Sequence, residues 1–320
     1  MTAAVHHAEQ TDASGAAALD HGTSRFVTAR DGLRLHVREY GPRTAPTLPV
    51  VCLPGFTGSV ADFAVLAPAL ANGPPERRVI AIDLRGRGQS DYDSKAENYN
   101  LMVELDDVVS VLVALAVGPA VFLGSSRGGL LVMLLGAAHP TAIAAVVLHD
   151  VGPVIEPKGL ARIKSSISKL PQPRSFEEGA DILRRLMSAQ FPKLTAEQWL
   201  AAARRTWRTK KGALTPNYDV RLARTLAGID IERPLPPLWN EFDALARVPM
   251  LVVRGANSDL LSAATVTAMR KRRTRMEAIE IADQGQPPLL EGDELLARIA
   301  RFVETCDLEK TVPGKKTQPD

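Results

Sequence analysis

Gly124-Ser125-Ser126-Arg127-Gly128 decides how this chain is read. The pentapeptide follows an apolar run, Val121-Phe122-Leu123, and opens onto Gly129-Leu130-Leu131-Val132-Met133-Leu134-Leu135, a helical stretch ended by His139-Pro140. A Gly-x-Ser-x-Gly between a strand and a helix is a tight turn that lifts the middle hydroxyl above the sheet, and only Ser126 fits that frame. Gly124 and Gly128 suit it because the two backbones come too close there for a Cβ. As a bare pattern the motif is weak; between a strand and a helix it is specific.

Val50-Val51-Cys52-Leu53 is an apolar run suited to a strand covered on both faces, and it ends in Pro54-Gly55-Phe56-Thr57-Gly58. A helix follows, with Phe63, Leu66 and Leu70 on one face. Val79-Ile80-Ala81-Ile82 repeats the strand pattern and runs into Asp83-Leu84-Arg85-Gly86-Arg87-Gly88-Gln89-Ser90-Asp91. The glycines there mark a tight loop, and no Gly-x-x-x-x-Gly-Lys is present to make it a phosphate cradle. Leu101, Leu105, Val108, Val109 and Leu112 recur with helical period. Nearer the start, residues 26–39 carry Arg30-Asp31-Gly32-Leu33, a hairpin signal, so the sheet opens with an antiparallel pair.

Downstream, Ala144-Ala145-Val146-Val147-Leu148 leads to His149-Asp150-Val151-Gly152-Pro153. Met250-Leu251-Val252-Val253 leads to Arg254-Gly255-Ala256-Asn257-Ser258-Asp259. Ala278-Ile279-Glu280-Ile281 leads to Asp283-Gln284-Gly285-Gln286-Pro287-Pro288, before a last helix with Leu295, Leu296, Ile299 and Phe302. Strands alternating with helices predict an α/β fold with a doubly wound, mostly parallel sheet. From 154 to 244 the strand signal is lost, and helical stretches with Pro-containing breaks predict an all-helical cap inserted between strands. Such a cap lies over the strands' C-terminal ends, where ligands bind. Trp199, Trp207 and Trp239 fall in it, either lining a ligand site or packing the cap's own core. The expected organisation is a flexible tail at 1–24, a core at 25–153 and 245–305, a cap at 154–244 and a flexible tail at 306–320.

Composition narrows the function. With 45% hydrophobic residues the chain can bury a large core, and 39 basic against 36 acidic residues give +3, too little to argue for nucleic acid or a membrane. Cys52 and Cys306 read as reduced thiols. The first 24 residues have neither the basic start nor the apolar core of a signal peptide, which leads to an expectation of a cytoplasmic protein. His6-His7 lacks further ligands, so neither metal nor cofactor is expected.

Taken together, Leu53-Pro54-Gly55-Phe56, Asp83-x-Arg85-Gly86-x-Gly88-x-Ser90, the serine turn, Arg254-Gly255-x-x-Ser258-Asp259 and Gly285-Gln286-x-Pro288 resemble the α/β-hydrolase superfamily with a helical cap, over about residues 25–305. Asp150-Val151-Gly152-Pro153 is similar to bacterial esterase-like members. The resemblance implies Ser126 as nucleophile, Asp259 as the acid, and the backbone amides of Phe56 and Arg127 as an oxyanion hole that stabilises charge developing on a carbonyl oxygen. It also implies a small-molecule carbonyl substrate. Pro54 stands where many relatives have His, which matters little because the donors are backbone groups.

The family's base, a His after the last strand, is replaced here by Gln286, and no His follows His149. Glutamine can bond both Ser126 and Asp259 but has no basic site near neutral pH. Three readings stay open: an esterase with activity weakened by Gln286, a binding protein on the same fold, or His149 acting as a displaced base, with Asp150 as an alternative acid. Dehalogenases and epoxide hydrolases place Asp at the turn, so Ser126 argues against both. Ester hydrolysis and carbon–carbon bond hydrolysis remain.

Overall fold

Strands that read as unbroken apolar runs need cover on both faces, and they occupy the middle of one sheet. The computed structural model describes residues 5–7, 22–167, 170–230, 233 and 235–311. Its strands are β1 (Val5–His7), β2 (Thr23–Thr28), β3 (Arg34–Tyr40), β4 (Val50–Leu53), β5 (Val79–Ile82), β6 (Ala120–Ser125), β7 (Ile143–His149), β8 (Trp207–Lys210), β9 (Ala213–Pro216), β10 (Met250–Gly255) and β11 (Glu277–Ile281). All but β8 and β9 join one nine-stranded sheet in the order β1-β2-β3-β5-β4-β6-β7-β10-β11. It is antiparallel from β1 to β5 and parallel from β5 to β11.

Alternate residues of each central strand face opposite layers. Val51, Leu53, Ile80, Ile82, Phe122, Val146, Leu148 and Val252 share one core with α2 (Leu101–Ala114) and α3 (Arg127–Ala138). Val50, Cys52, Val79, Ala81, Val121, Leu123, Val147 and Val253 share the other with α1 (Leu66–Asn72) and α10 (Asp293–Thr311). A run with no polar residue is therefore two period-two faces, each buried. Helix α9 (Ala263–Arg272) closes the connection between β10 and β11.

The insertion between β7 and β10 contains α4 (Pro157–Ile167), α5 (Phe176–Met187), α6 (Ala196–Thr206), α7 (Ala223–Ala227) and α8 (Trp239–Ala244). It is not all-helical: β8 and β9 form an antiparallel hairpin within it. The turn has Lys211 at φ 51° and Gly212 at φ 79°, the left-handed pair that a two-residue hairpin demands. Trp199 and Trp207 pack with Leu183, Phe191 and Leu214 inside the insertion. Trp239 meets Phe242 edge-on at 5.8 Å, and α8 lies against α3 on the sheet side.

The tails depart from expectation where they are described. Val5–His7 pairs with Arg25–Val27, and most of the remaining residues before 23, like those after 311, lie outside the described residues. Residues 306–311 continue α10 rather than hang loose. Cys306 is buried and Asp307 pairs with Arg77 at 2.6 Å, because that side chain has a buried cation to neutralise.

Candidate active site

Ser126 ends β6 and begins α3 at φ 47°, ψ −111°, a left-handed conformation that costs a non-glycine residue and persists because the turn is held on both sides. Its N–H donates to the His149 carbonyl of β7 at 2.9 Å. A Cβ on Gly124 would lie 2.5 Å from the Gly129 backbone, and one on Gly128 would strike the Leu53 carbonyl. Strand and helix are thus packed backbone to backbone, as the glycines predicted. Gly55 approaches from the loop after β4, where an added Cβ would lie 3.7 Å from Ser126 Cβ. Neither the Phe56 nor the Arg127 N–H has an acceptor among the described residues.

On the neighbouring strands, Gly255 touches the carbonyls of Gln284 and Gly285, which brings the loop after β11 over the end of β10. Asn257 N–H donates to Gln284 O at 2.9 Å. Gln286 and Asp259 come together there through a third residue that the sequence did not single out. Arg162 of α4 donates from Nε to Asp259 Oδ2 at 2.8 Å, from Nη2 to Oδ1 at 3.0 Å, and from Nη2 to Gln286 Oε1 at 3.1 Å. Burial would raise the Asp259 carboxyl, but the fork from Arg162 and a bond from Gln190 outweigh it and hold the group below the usual carboxylate range. Arg162 reaches this far because Gly159, one turn earlier on α4, rests on Asp259 and Leu260, where a Cβ would fall 2.7 Å from the Asp259 carbonyl.

His149 is fully engaged elsewhere. Its Nδ1 lies 3.0 Å from Ser125 Oγ and its Nε2 2.9 Å from the Pro288 carbonyl, and burial pushes its pKa down to about 4. Its ring ties β6 to the loop that carries Gln286. Asp150, at φ 52°, accepts from Gly255 N–H at 2.9 Å and from Ser258 Oγ at 2.6 Å, and burial pushes its pKa up to about 7. It braces the loop leading to Asp259.

A hydrogen-bonded Ser–His–Asp chain does exist away from this site. His36 Nε2 is 3.0 Å from Ser24 Oγ and Nδ1 is 2.7 Å from Asp83 Oδ2. Ser24 is in regular strand pairing with Arg38, and Asp83 also accepts from Val60 and Gln89 N–H at 2.7 and 3.0 Å. That array fastens the hairpin to the loop after β5, and Ser24 lacks the strained turn that presents Ser126.

A family model described as the alpha/beta hydrolase fold matches residues 49–285. A 3-hydroxybutyrate-oligomer hydrolase of Cupriavidus necator is 32% identical over 276 residues, 84% of this chain and 92% of that protein. A 2-(acetamidomethylene)succinate hydrolase of Mesorhizobium japonicum is 26% identical over 265 residues, 82% of this chain and 88% of that one. The crystal structure of an alpha/beta hydrolase from Novosphingobium aromaticivorans superposes with a TM-score of 0.80 at 36% identity, covering 88% of this chain and 98% of that one. The sheet order, the strained serine between β6 and α3, and these likenesses agree, and the chain belongs to the α/β-hydrolase family.

Proposed function

We propose that the chain is a serine hydrolase of the carboxylic ester class whose turnover is held low by an amide at the base position. Ser126 attacks the carbonyl, the Phe56 and Arg127 amides receive the oxyanion, and Asp259 and Gln286 occupy the acid and base positions. The strained turn at Ser126 and the two unengaged amides beside it support the first half of this reading. The likeness to a hydrolase of 3-hydroxybutyrate oligomers supports the ester class, since a hydroxy acid is joined to its neighbours by ester bonds.

The observation that carries the second half is the Arg162 fork. Gln286 offers only an amide, and both oxygens of Asp259 accept from one guanidinium that lowers the carboxylate's basicity, so neither is a competent base for the proton of Ser126. His149 bonds Ser125 and Pro288, which argues against its serving as the base. Losing a triad member typically costs about a million-fold, leaving on the order of 10³ to 10⁴ over water.

The test restores the base. Gln286→His alone should give only part of the gain, because Arg162 still occupies Asp259. Gln286→His with Arg162→Gln should raise kcat on a short-chain nitrophenyl ester by on the order of 10² or more, the usual contribution of a general base. A double variant that stays folded yet gains nothing would overturn the reading. The same closed set of polar bonds favours a second reading, a small-molecule binding protein, which that result would support.

A further inference from the structure

The two amides assigned above to the oxyanion come from segments far apart in sequence, the loop after β4 and the first turn of α3. Hydrogen bonds to a developing oxyanion act only if the donors are held to within about half an ångström. One buried side chain connects to both. Glu104 of α2 is fully buried and accepts from Arg127 Nε at 2.6 Å on one oxygen and from Arg87 Nη1 at 2.7 Å on the other. Arg87 Nε in turn donates to the Phe56 carbonyl at 2.9 Å. The Phe56 ring also meets both guanidiniums, with the Arg87 carbon 5.6 Å and the Arg127 carbon 5.1 Å from its centroid. Arg127 Nη2 and Arg87 Nη1 are further tied to the carbonyls of Tyr99 and Arg85 at 3.1 and 2.6 Å.

We infer that Glu104 is a positioning residue for the oxyanion hole, fixing Phe56 through Arg87 and Arg127 directly, so that one carboxylate sets the spacing of both donors. This rests on the assignment of the Phe56 and Arg127 amides made above. The buried Arg87 and the part-buried Arg127 share one carboxylate, which leaves one net positive charge beside the place where the oxyanion forms. Without Glu104 the two cations face each other uncompensated, and the Phe56 loop loses its tie to α3.

The charge on a tetrahedral intermediate sits on oxygen for an ordinary ester and on sulfur for a thionoester, which is a poorer acceptor. A working oxyanion hole therefore shows as a preference for the oxoester, a ratio that loss of folded protein cannot move. Glu104→Gln and Arg127→Lys are compared with the parent on matched oxo- and thionoesters, with Ser126→Ala as the control for turnover at this site. The expected result is a loss of about 10- to 100-fold in kcat on the oxoester, near the low end of the cost of an oxyanion donor. KM should change little, and the oxo/thiono preference should fall by a similar factor in both variants. Arg127→Lys keeps the charge and is the variant to rely on if Glu104→Gln does not fold. An unchanged preference in a folded variant would overturn the inference. A parent with Ser126-dependent turnover but no oxoester preference would instead overturn the assignment of the two amides.

Discussion

His149 and Asp150 are adjacent, buried, and perturbed in opposite senses: burial pushes the imidazole down to about 4 and the carboxyl up to about 7. Between about pH 4 and 6.5 the unfolded chain protonates His149 and the folded chain does not, so this residue makes stability fall as pH is lowered. Over about pH 4 to 7 the folded chain keeps Asp150 protonated and the unfolded chain does not, so this one makes stability fall as pH is raised. The contributions are about 3 and about 4 kcal/mol and largely cancel between pH 4 and 6.5. Asp107, pushed up to about 6 by burial, titrates in the same window, so each variant is read against the parent: from urea midpoints, the stability of His149→Gln should fall relative to the parent from pH 4 to 6.5 and that of Asp150→Asn should rise relative to it from pH 4 to 7. A flat difference from the parent in either variant would contradict the assignment. Ser126 was legible at this scale because its constraint is local, a turn written in five consecutive residues. The surroundings of Gln286 were not, since Arg162 lies 124 positions away and nothing near it marks a partner.

At the scale of the element, α4 holds the insertion against the loop after β10 through one small residue and one charged residue on the same face. Gly159→Ala would force α4 off the Asp259 backbone and pull Arg162 from its fork. A loss of about 1 to 3 kcal/mol is expected, as for other overpacked contacts, with faster proteolysis within the cap. The Arg162–Asp259 pair should also respond to acid. Because the Asp259 carboxyl is depressed, its contribution is present above the ordinary carboxylate pKa and fades as pH drops through the lower folded value. Limited proteolysis across that range should show cap sites opening only in strong acid. The helices of the cap were legible from their periodicity, but the β8–β9 hairpin was not. Its strands are four residues each, its pattern is weak, and the available signal, Lys211-Gly212, lies in what reads as a break between two helical stretches. The tryptophans were ambiguous for a related reason: indole looks the same in a sequence whether it packs a subdomain or lines a site.

Across the whole molecule the sheet was the most legible feature, because strands buried on both faces are unbroken apolar runs. Charge is less even than the net +3 suggests. Residues 154–244 carry sixteen Lys and Arg against ten Asp and Glu, so this insertion is at +6 and the rest of the chain at −3. A cationic insertion should speed the encounter with anionic substrates. For an anionic ester kcat/KM should fall several-fold between low salt and about 0.5 M salt, while a neutral ester of the same size changes little. Equal salt responses would mean the imbalance plays no part in capture.

The pair between Arg77 and Asp307 has a bearing on how the chain can be cut. Arg77 is 2% exposed and also donates to the Leu48 carbonyl at 2.6 Å, while Asp307 accepts from the Leu48 N–H at 2.7 Å. The far end of the polypeptide therefore latches the segment entering β4, the strand that hands over to Phe56. Trimming after Thr305 strands a cation in the interior, for which removal of a buried partner typically costs about 3 to 5 kcal/mol. Trimming after Thr311 keeps Asp307 and leaves the latch closed, so a fusion joined there should melt well above the shorter version.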